Sequence, residues 1–227
     1  MGGELPIAPS AIRSEDKAVV RDGDDIAEVD QVVPRALRLD EIPGVIEEFR
    51  RGAERAKAAG FDGVELHGAN GYLADQFLQD GSNHRDDAYG GPVENRARFM
   101  LEVVEALVSV WGGDRVAVRI SPSGQFGTMS YSNPVETFGY LAERLNSLGL
   151  AYLHVIEPRF RGYEDIELNV PAVASKGLRS VFKGPIQAAG GFSKETAEQT
   201  LAAGDADLVA FGRLFIANPD LPERRQT

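Results

Sequence analysis

The chain has 227 residues, 43% hydrophobic and 26% charged, which suits one soluble globular domain with a single substantial core. A formal net charge of −11 argues against a nucleic-acid-binding face and against docking on anionic lipid, so neither nucleic acid nor membrane is expected as a partner. There is no cysteine, which excludes a disulfide framework, a thiolate metal site and a cysteine nucleophile.

The apolar runs fall far short of the ~18 residues that cross a bilayer. The opening "MGGELPIAPSAIRSEDK" lacks the basic start and hydrophobic stretch of a signal peptide. A cytoplasmic location is the expectation. Residues 1–38 mix proline, glycine and acids with little periodicity and read as an extended loop or β-ribbon excursion. From 39 onward the texture changes. Asp40 is placed to cap a helix, "IPGVIEEFRRGAERAKAAG", whose first turn tolerates Pro43 and which Gly60 stops.

"FDGVELHGA" then reads as a short buried strand, and the alternation continues. The helix "VENRARFMLEVVEALVSVWGG" leads to the strand "RVAVRISP". Asn133 and Pro134 open the helix "VETFGYLAERLNSLG", which leads to "LAYLHVIEP". A helix near "PAVASKGLRSVFKG" precedes "PIQAAGG", and Ser193 caps "KETAEQTLAAG" before "ADLVAFGR". "SNHRDDAYGGPVENRARF" reads by itself as a solvated loop entering a helix, and Trp111, Tyr131 and Tyr163 as packing or rim residues.

Apolar strands joined by helical crossovers belong in a parallel α/β sheet. No strand opens into G-x-G-x-x-G, which disfavours a dinucleotide-binding doubly wound fold. Polar or small residues instead gather at strand C-terminal ends: His67, Arg119, Glu157, Gly190 with Gly191, and Gly212 with Arg213. A (β/α)8 TIM barrel builds its site there. Five strands can be counted where a barrel needs eight, so either the TIM barrel is incomplete or the strands are undercounted.

Three constellations carry chemistry. His67 and Asn70 at one strand end can offer two N–H donors to a carbonyl oxygen gaining negative charge, and Tyr72 is a weak acid able to give a proton to carbon. The competing reading is a core histidine followed by a simple Asn70–Gly71 turn. A lone His without a partner at ligand spacing does not make a metal site, so no metal is expected. Arg119 interrupts an apolar strand. It either holds an anionic ligand or pairs with Glu65 or Glu157. Gly190–Gly191 and Gly212–Arg213 allow close backbone approach at adjacent strand ends and fit a phosphate; the alternative is tight turns with Arg213 on the surface.

These stretches resemble the Old Yellow Enzyme family of FMN-dependent ene reductases. "FDGVELHGANGYLADQFL" and "SNHRDDAYGGPVENRARFMLEVVEAL" carry most of the likeness. "VAVRISP", "AYLHVIEP", "AAGGF" and "VAFGRLFIANPDLP" follow in the same order, and "PIAPSAI" is similar to the family's loop after the third barrel strand. The resemblance implies FMN as cofactor, NAD(P)H as reductant and an enone or enal as substrate. It implies that His67 and Asn70 grip the substrate carbonyl and that Tyr72 protonates the α-carbon after hydride reaches the β-carbon. Arg119 then lies at the flavin's pyrimidine edge, and Gly190, Gly191, Gly212 and Arg213 hold the FMN phosphate.

Family members are longer. The resemblance therefore implies that residues 1–38 follow an absent third strand and that 39–227 form a partial barrel holding strands four to eight. An open sheet of that kind is expected to self-associate through its edges. It is also expected to be a poor enzyme until another copy or chain completes it. The alternative is a non-catalytic partial barrel that binds a phosphorylated ligand. An aldolase-type barrel would want a Schiff-base lysine at a strand end, and none reads there.

Overall fold

The computed structural model describes residues 3–23, 25–124, 126–127, 129–158, 160–161, 164–165 and 173–226. Tyr163 and the start of the helix expected from 171 lie outside the described residues. Four short strands come first: β1 (Ile7–Ala8), β2 (Lys17–Asp22), β3 (Asp25–Asp30) and β4 (Arg35–Ala36). β2 and β3 form an antiparallel hairpin, and β1 pairs in parallel with β4 at its base. Within the stretch read as an extended loop or β-ribbon, the hairpin occupies Lys17–Asp22 and Asp25–Asp30.

Then follow α1 (Ile42–Ala58), β5 (Val64–Gly68), α2 (Leu73–Leu78), α3 (Val93–Trp111), β6 (Val116–Ile120), α4 (Pro134–Leu145) and β7 (Tyr152–Ile156). Two-residue strands β8 (Phe160–Arg161) and β9 (Glu164–Asp165) precede α5 (Ser175–Arg179), β10 (Ile186–Ala189), α6 (Lys194–Ala202), β11 (Leu208–Ala210), α7 (Arg213–Ala217) and α8 (Leu221–Gln226). β5, β6, β7, β10 and β11 make one parallel sheet in that spatial order, so each strand lies beside its predecessor among the five. This is a partial α/β barrel wall, as expected.

The local chemistry explains most boundaries. Asn133 caps α4 by accepting from the Glu136 N–H at 3.2 Å, with Pro134 at the first helical position. Ser193 caps α6 in a reciprocal box with Thr196. Gly60, at φ 85°, ends the chain's first long helix. Three expectations need correction. The residue at the start of α1 is Glu41, not Asp40; Asp40 is engaged by the Arg38 guanidinium at 3.1 Å instead. The helix expected through 149 gives way at Leu145 to a 3-10 turn, and the one expected over 171–184 spans only Ser175–Arg179.

The stretch 82–92 is a loop entering α3, as expected, with His84, Asp86, Ala88, Gly91 and Pro92 exposed, but it is not solvated throughout. Asn83 and Tyr89 are buried, and the Asn83 amide donates to the carbonyls of Phe77 and Tyr89 at 2.6 and 2.7 Å. Arg85 donates to the carbonyls of Pro9 and Leu37, at 3.0 and 2.5 Å, and fastens the N-terminal segment to the barrel wall. On α3, Ala97, Met100, Val104 and Leu107 recur at helical spacing and face the core. Phe77 stacks on Phe99 with centroids 4.3 Å apart, and Trp111 donates its indole N–H to the Ala53 carbonyl at 3.1 Å, tying α3 to α1. Each fully buried phenylalanine contributes about 1.5–3 kcal/mol.

The sheet is two-faced. Leu66, Val118, Leu153 and Ile186 stand opposite one another under the helices and are buried. The opposite face is mixed: it carries Glu65, His67, Arg119, His154 and Gln187, with the buried Ala117, Ile156 and Ala189 beside them.

Candidate active site

In a parallel sheet, paired residues of neighbouring strands stand side by side on one face. His67 pairs with Arg119, Arg119 with His154, and His154 with Gln187. The result is a row of imidazole, guanidinium, imidazole and amide across four strands, close to their C-terminal ends. Glu65 stands two residues earlier on β5, on the same face as His67.

At the end of β5 the chain turns sharply, the Tyr72 N–H closing on the Ala69 carbonyl at 3.3 Å. Asn70 has φ 56° and Gly71 φ 80°. The left-handed region is uncommon for a side chain larger than glycine, although Asn tolerates it better than most. The Asn70 N–H donates to the Ser121 hydroxyl at 2.8 Å and the Gly71 N–H to an Asp75 carboxylate oxygen at 2.9 Å. Tyr72 caps α2 without a side-chain hydrogen bond and is 61% exposed, its ring 4.8 Å from that of His67. Burial first, and then repulsion by Arg119, lower the His67 pKa despite the opposing pull of Glu65. The imidazole is therefore neutral near pH 7 and keeps one N–H to donate.

His154 was hidden in an apolar run, and period-two alternation along "AYLHVIEP" is the signal that could have found it. Its Nδ1 lies 3.0 Å from the Glu65 carboxylate, while Nε2 is buried with no hydrogen-bond partner among the described residues. Burial works to raise the Glu65 pKa. It is outweighed by His154, Tyr152 and Arg119, which leave the carboxyl below its ordinary range. The same carboxylate and burial push the Tyr152 hydroxyl up to about 12.

Arg119 forms no ion pair among the described residues, and its Nε is buried without a partner. Neither expected carboxylate partner takes it: Glu65 is engaged by His154, and Glu157 accepts from the Ser175 N–H at 3.2 Å and from its hydroxyl.

A cleft of about 730 Å³ opens along the row and brings together Asn70, Arg119, His154, Gly190, Gly191, Gly212 and Arg213. Six of these were singled out from sequence; His154 is the addition. Gly190 at φ 111° and Gly191 at φ 65° expose backbone where a side chain would be strained. Phe192 and Phe211 supply apolar wall. Tyr72 does not line this cleft. It borders a second cavity of about 260 Å³, with Ile12, Val32 and Met129, and Asn70 borders both. His67 lines neither cavity and meets the site through Tyr72 and Arg119.

Polar groups gathered at the C-terminal ends of consecutive parallel strands are what an α/β barrel protein presents at the face where its site is built. The chain belongs to the NADH:flavin oxidoreductase / NADH oxidase family, the Old Yellow Enzyme family, whose model matches residues 3–227. It is 47% identical over 196 residues to 12-oxophytodienoate reductase 2 of Arabidopsis thaliana, covering 85% of this chain and 51% of that protein. It is 44% identical to 12-oxophytodienoate reductase 1 of Oryza sativa subsp. japonica, covering 96% and 57%.

Among solved structures, morphinone reductase in complex with tetrahydroNAD matches with TM-score 0.90 and 43% identity over 100% of this chain and 60% of that one. An Old Yellow Enzyme homologue from Zymomonas mobilis matches with TM-score 0.88 and 39% identity, covering 98% and 61%. The chain thus spans between half and two thirds of the length of these relatives.

The family uses FMN with NADH or NADPH as reductant. The cleft fits such a group. Two buried nitrogens without partners, on Arg119 and His154, border it, and the cleft's volume lies in the range of small-molecule pockets. No group of three or more His, Asp or Glu suited to a metal, and no helix long and apolar enough to cross a membrane, occurs among the described residues.

Proposed function

We propose that this chain supplies the FMN-holding and substrate-polarising part of an NAD(P)H-dependent ene reductase acting on α,β-unsaturated ketones and aldehydes. The observation that carries the reading is the in-register row His67–Arg119–His154, of which Arg119 and His154 line a cleft that ends in two glycine turns. In this reading Gly190, Gly191, Gly212 and Arg213 hold the FMN phosphate with backbone N–H groups and a guanidinium. Arg119 faces the ring system and favours negative charge on it. Bound there, FMN supplies the redox chemistry and NADH or NADPH restores it.

The chain's own groups do the rest. Asn70 and neutral His67 donate hydrogen bonds to the carbonyl oxygen and stabilise it as charge builds. Tyr72, exposed at the mouth of the neighbouring cavity, gives a proton to the α-carbon. The acidic, cysteine-free composition supports a cytoplasmic setting.

The test is titration of FMN into the purified chain. A saturable shift of the flavin absorbance at micromolar concentration, followed by NADPH-dependent reduction of 2-cyclohexenone, is the expected result. Absence of binding at millimolar FMN would sink the reading.

One observation favours a second reading. β5 and β11 have no outer neighbour among the described residues, and Leu208 on the open face of β11 is 48% exposed. A second copy or another chain would complete that surface, and the isolated chain would bind a phosphorylated ligand without turnover. Size-exclusion chromatography with and without FMN separates the two: a compact monomer that turns over removes the second.

A further inference from the structure

We propose that Asp75 is a positioning residue whose buried carboxylate fixes the Asn70–Gly71 turn, and so sets the direction of the Asn70 side chain; this rests on the substrate-binding role proposed for Asn70. The reasoning begins with the turn. Two successive left-handed residues at the end of a strand are not a conformation that the chain adopts for lack of alternatives, and something must hold them. Three hydrogen bonds do. The Gly71 N–H donates to Asp75 Oδ2 at 2.9 Å, the Asn70 N–H to Ser121 Oγ at 2.8 Å, and the Gln76 side-chain amide to the Gly71 carbonyl at 2.8 Å.

Asp75 is the hub of this web. Ser121 also reaches Asp75 Oδ2, at 3.4 Å, and Tyr131 donates its hydroxyl to Oδ1 at 2.7 Å. Ser121 and Tyr131 belong to the segment after β6, so one carboxylate joins the substrate turn to the strand end that carries Arg119. The side chain is 0% exposed and has no cationic partner among the described residues. The neighbouring Gln79 amide is also buried and helps to hold the Asp75 carboxyl in its charged form.

A carboxyl in such a place is costly to ionise, and burial pushes its pKa up to about 6 against the opposing hydrogen bonds. Capping of the six-residue α2 is a modest return for that penalty, because the groups it binds belong to the turn and to the segment after β6 rather than to the body of the helix. What the carboxylate does uniquely is accept from both segments at once.

The test uses the full chain and three variants. Asp75→Ala removes the acceptor. Asp75→Asn keeps one acceptor oxygen for Gly71 and turns its amide toward the Tyr131 oxygen. Ser121→Ala removes only the Asn70 N–H contact and serves if Asp75→Ala does not fold. The first readout is amide hydrogen exchange without any ligand. Asn70 and Gly71 are expected to exchange about tenfold faster in Asp75→Ala, with β6 and β7 amides unchanged, and to recover in Asp75→Asn.

The second readout is kinetic, with FMN loaded. The Michaelis constant for 2-cyclohexenone is expected to rise about tenfold in Asp75→Ala and Ser121→Ala, with kcat and FMN affinity within about threefold of the parent. Exchange at Asn70 and Gly71 no faster in Asp75→Ala and Ser121→Ala, or an unchanged Michaelis constant, overturns the proposal. A parent chain that binds no FMN or reduces no enone would instead sink the reductase reading, while the exchange measurement still decides the role of Asp75.

Discussion

The two ends of the candidate site are built by opposite means. At the β5 end, a strained turn is held by side chains that converge from two segments, with Asp75 and Ser121 underneath. At the β10–β11 end the surface is mostly backbone: Gly190 and Gly191 bend through positive φ, Gly212 stands just before α7, and Arg213 is exposed. In the function proposed, the first end aims donors at one small oxygen and needs orientation, and the second meets a charge that accepts hydrogen bonds from many directions and needs access. Orientation demands a buried polar scaffold, whereas access demands the absence of side chains.

The sharpest way to break that contrast is at Tyr72. If the β5 end performs the proton step, Tyr72→Phe lowers turnover of an enone by about 100- to 1,000-fold and leaves FMN affinity unchanged. Stopped-flow oxidation of the reduced chain by 2-cyclohexenone measures it, and an unchanged rate would move the proton donor elsewhere.

A second test exploits the buried carboxyl that only the β5 end possesses. The folded chain holds the Asp75 proton up to about pH 6, whereas the ordinary carboxyl loses it near 3.8. Its contribution to stability is therefore fully present below about pH 4 and is lost as pH rises through 6, a change of roughly 3 kcal/mol. Urea unfolding of the parent and of Asp75→Asn at several pH values isolates it. Equal pH slopes in the two proteins would mean that the group titrates normally.

Glycine replacements compare the two ends directly. A Cβ on Gly71 meets Phe126 Cβ at 3.0 Å and the Met129 sulfur at 3.1 Å, whereas one on Gly190 meets nothing nearer than 3.5 Å. Both positions carry positive φ. Gly71→Ala is expected to cost about 2–3 kcal/mol and Gly190→Ala about 1–2 kcal/mol, read from denaturant midpoints. The reverse order would put the tighter packing at the glycine end. The smallest effect is expected at Ser193→Ala, which removes the cap of α6 for about 1 kcal/mol. A drop in FMN affinity there beyond what that loss explains would make the cap part of the ligand site.

The same contrast governs what could be read before any coordinates. Glycine pairs at strand ends and an arginine inside an apolar strand stand out in a linear string because composition alone marks them. His67, Asn70 and Tyr72 stood out as polar outliers after a hydrophobic run. Asp75 did not, because in "LADQFL" it reads as the wet side of a short helix. Its meaning comes from Ser121 and Tyr131, 46 and 56 residues away. His154 was masked in the same way by a run of apolar neighbours, and only the register with Arg119 reveals its direction.

Composition told only part of 82–92, where charge and turn formers suggested solvent. Several of its residues are exposed, but Asn83 is spent on the nearby carbonyls of Phe77 and Tyr89 and Arg85 on those of Pro9 and Leu37, far along the chain. The five strands and their order were legible because hydrophobic runs and caps are local; the polar face was not, because it is a property of pairing.

The N-terminal hairpin leaves and re-enters the molecule through one short ladder, Ile7 with Arg35 and Ala8 with Ala36. Everything between those pairs is tethered near its roots, by that ladder and by bonds from Arg85 to Pro9 and from His84 to Ser10, and the hairpin strands expose Val19 and Ile26 rather than adding to the core. Such a piece behaves as a cassette. Its length and sequence can drift with little strain on the barrel wall, since lengthening a loop with fixed ends costs little. Its roots, however, wall the cavity beside Tyr72 and leave the glycine-lined cleft untouched. Variation there is a route by which relatives of this chain could come to prefer different molecules while keeping one cofactor grip.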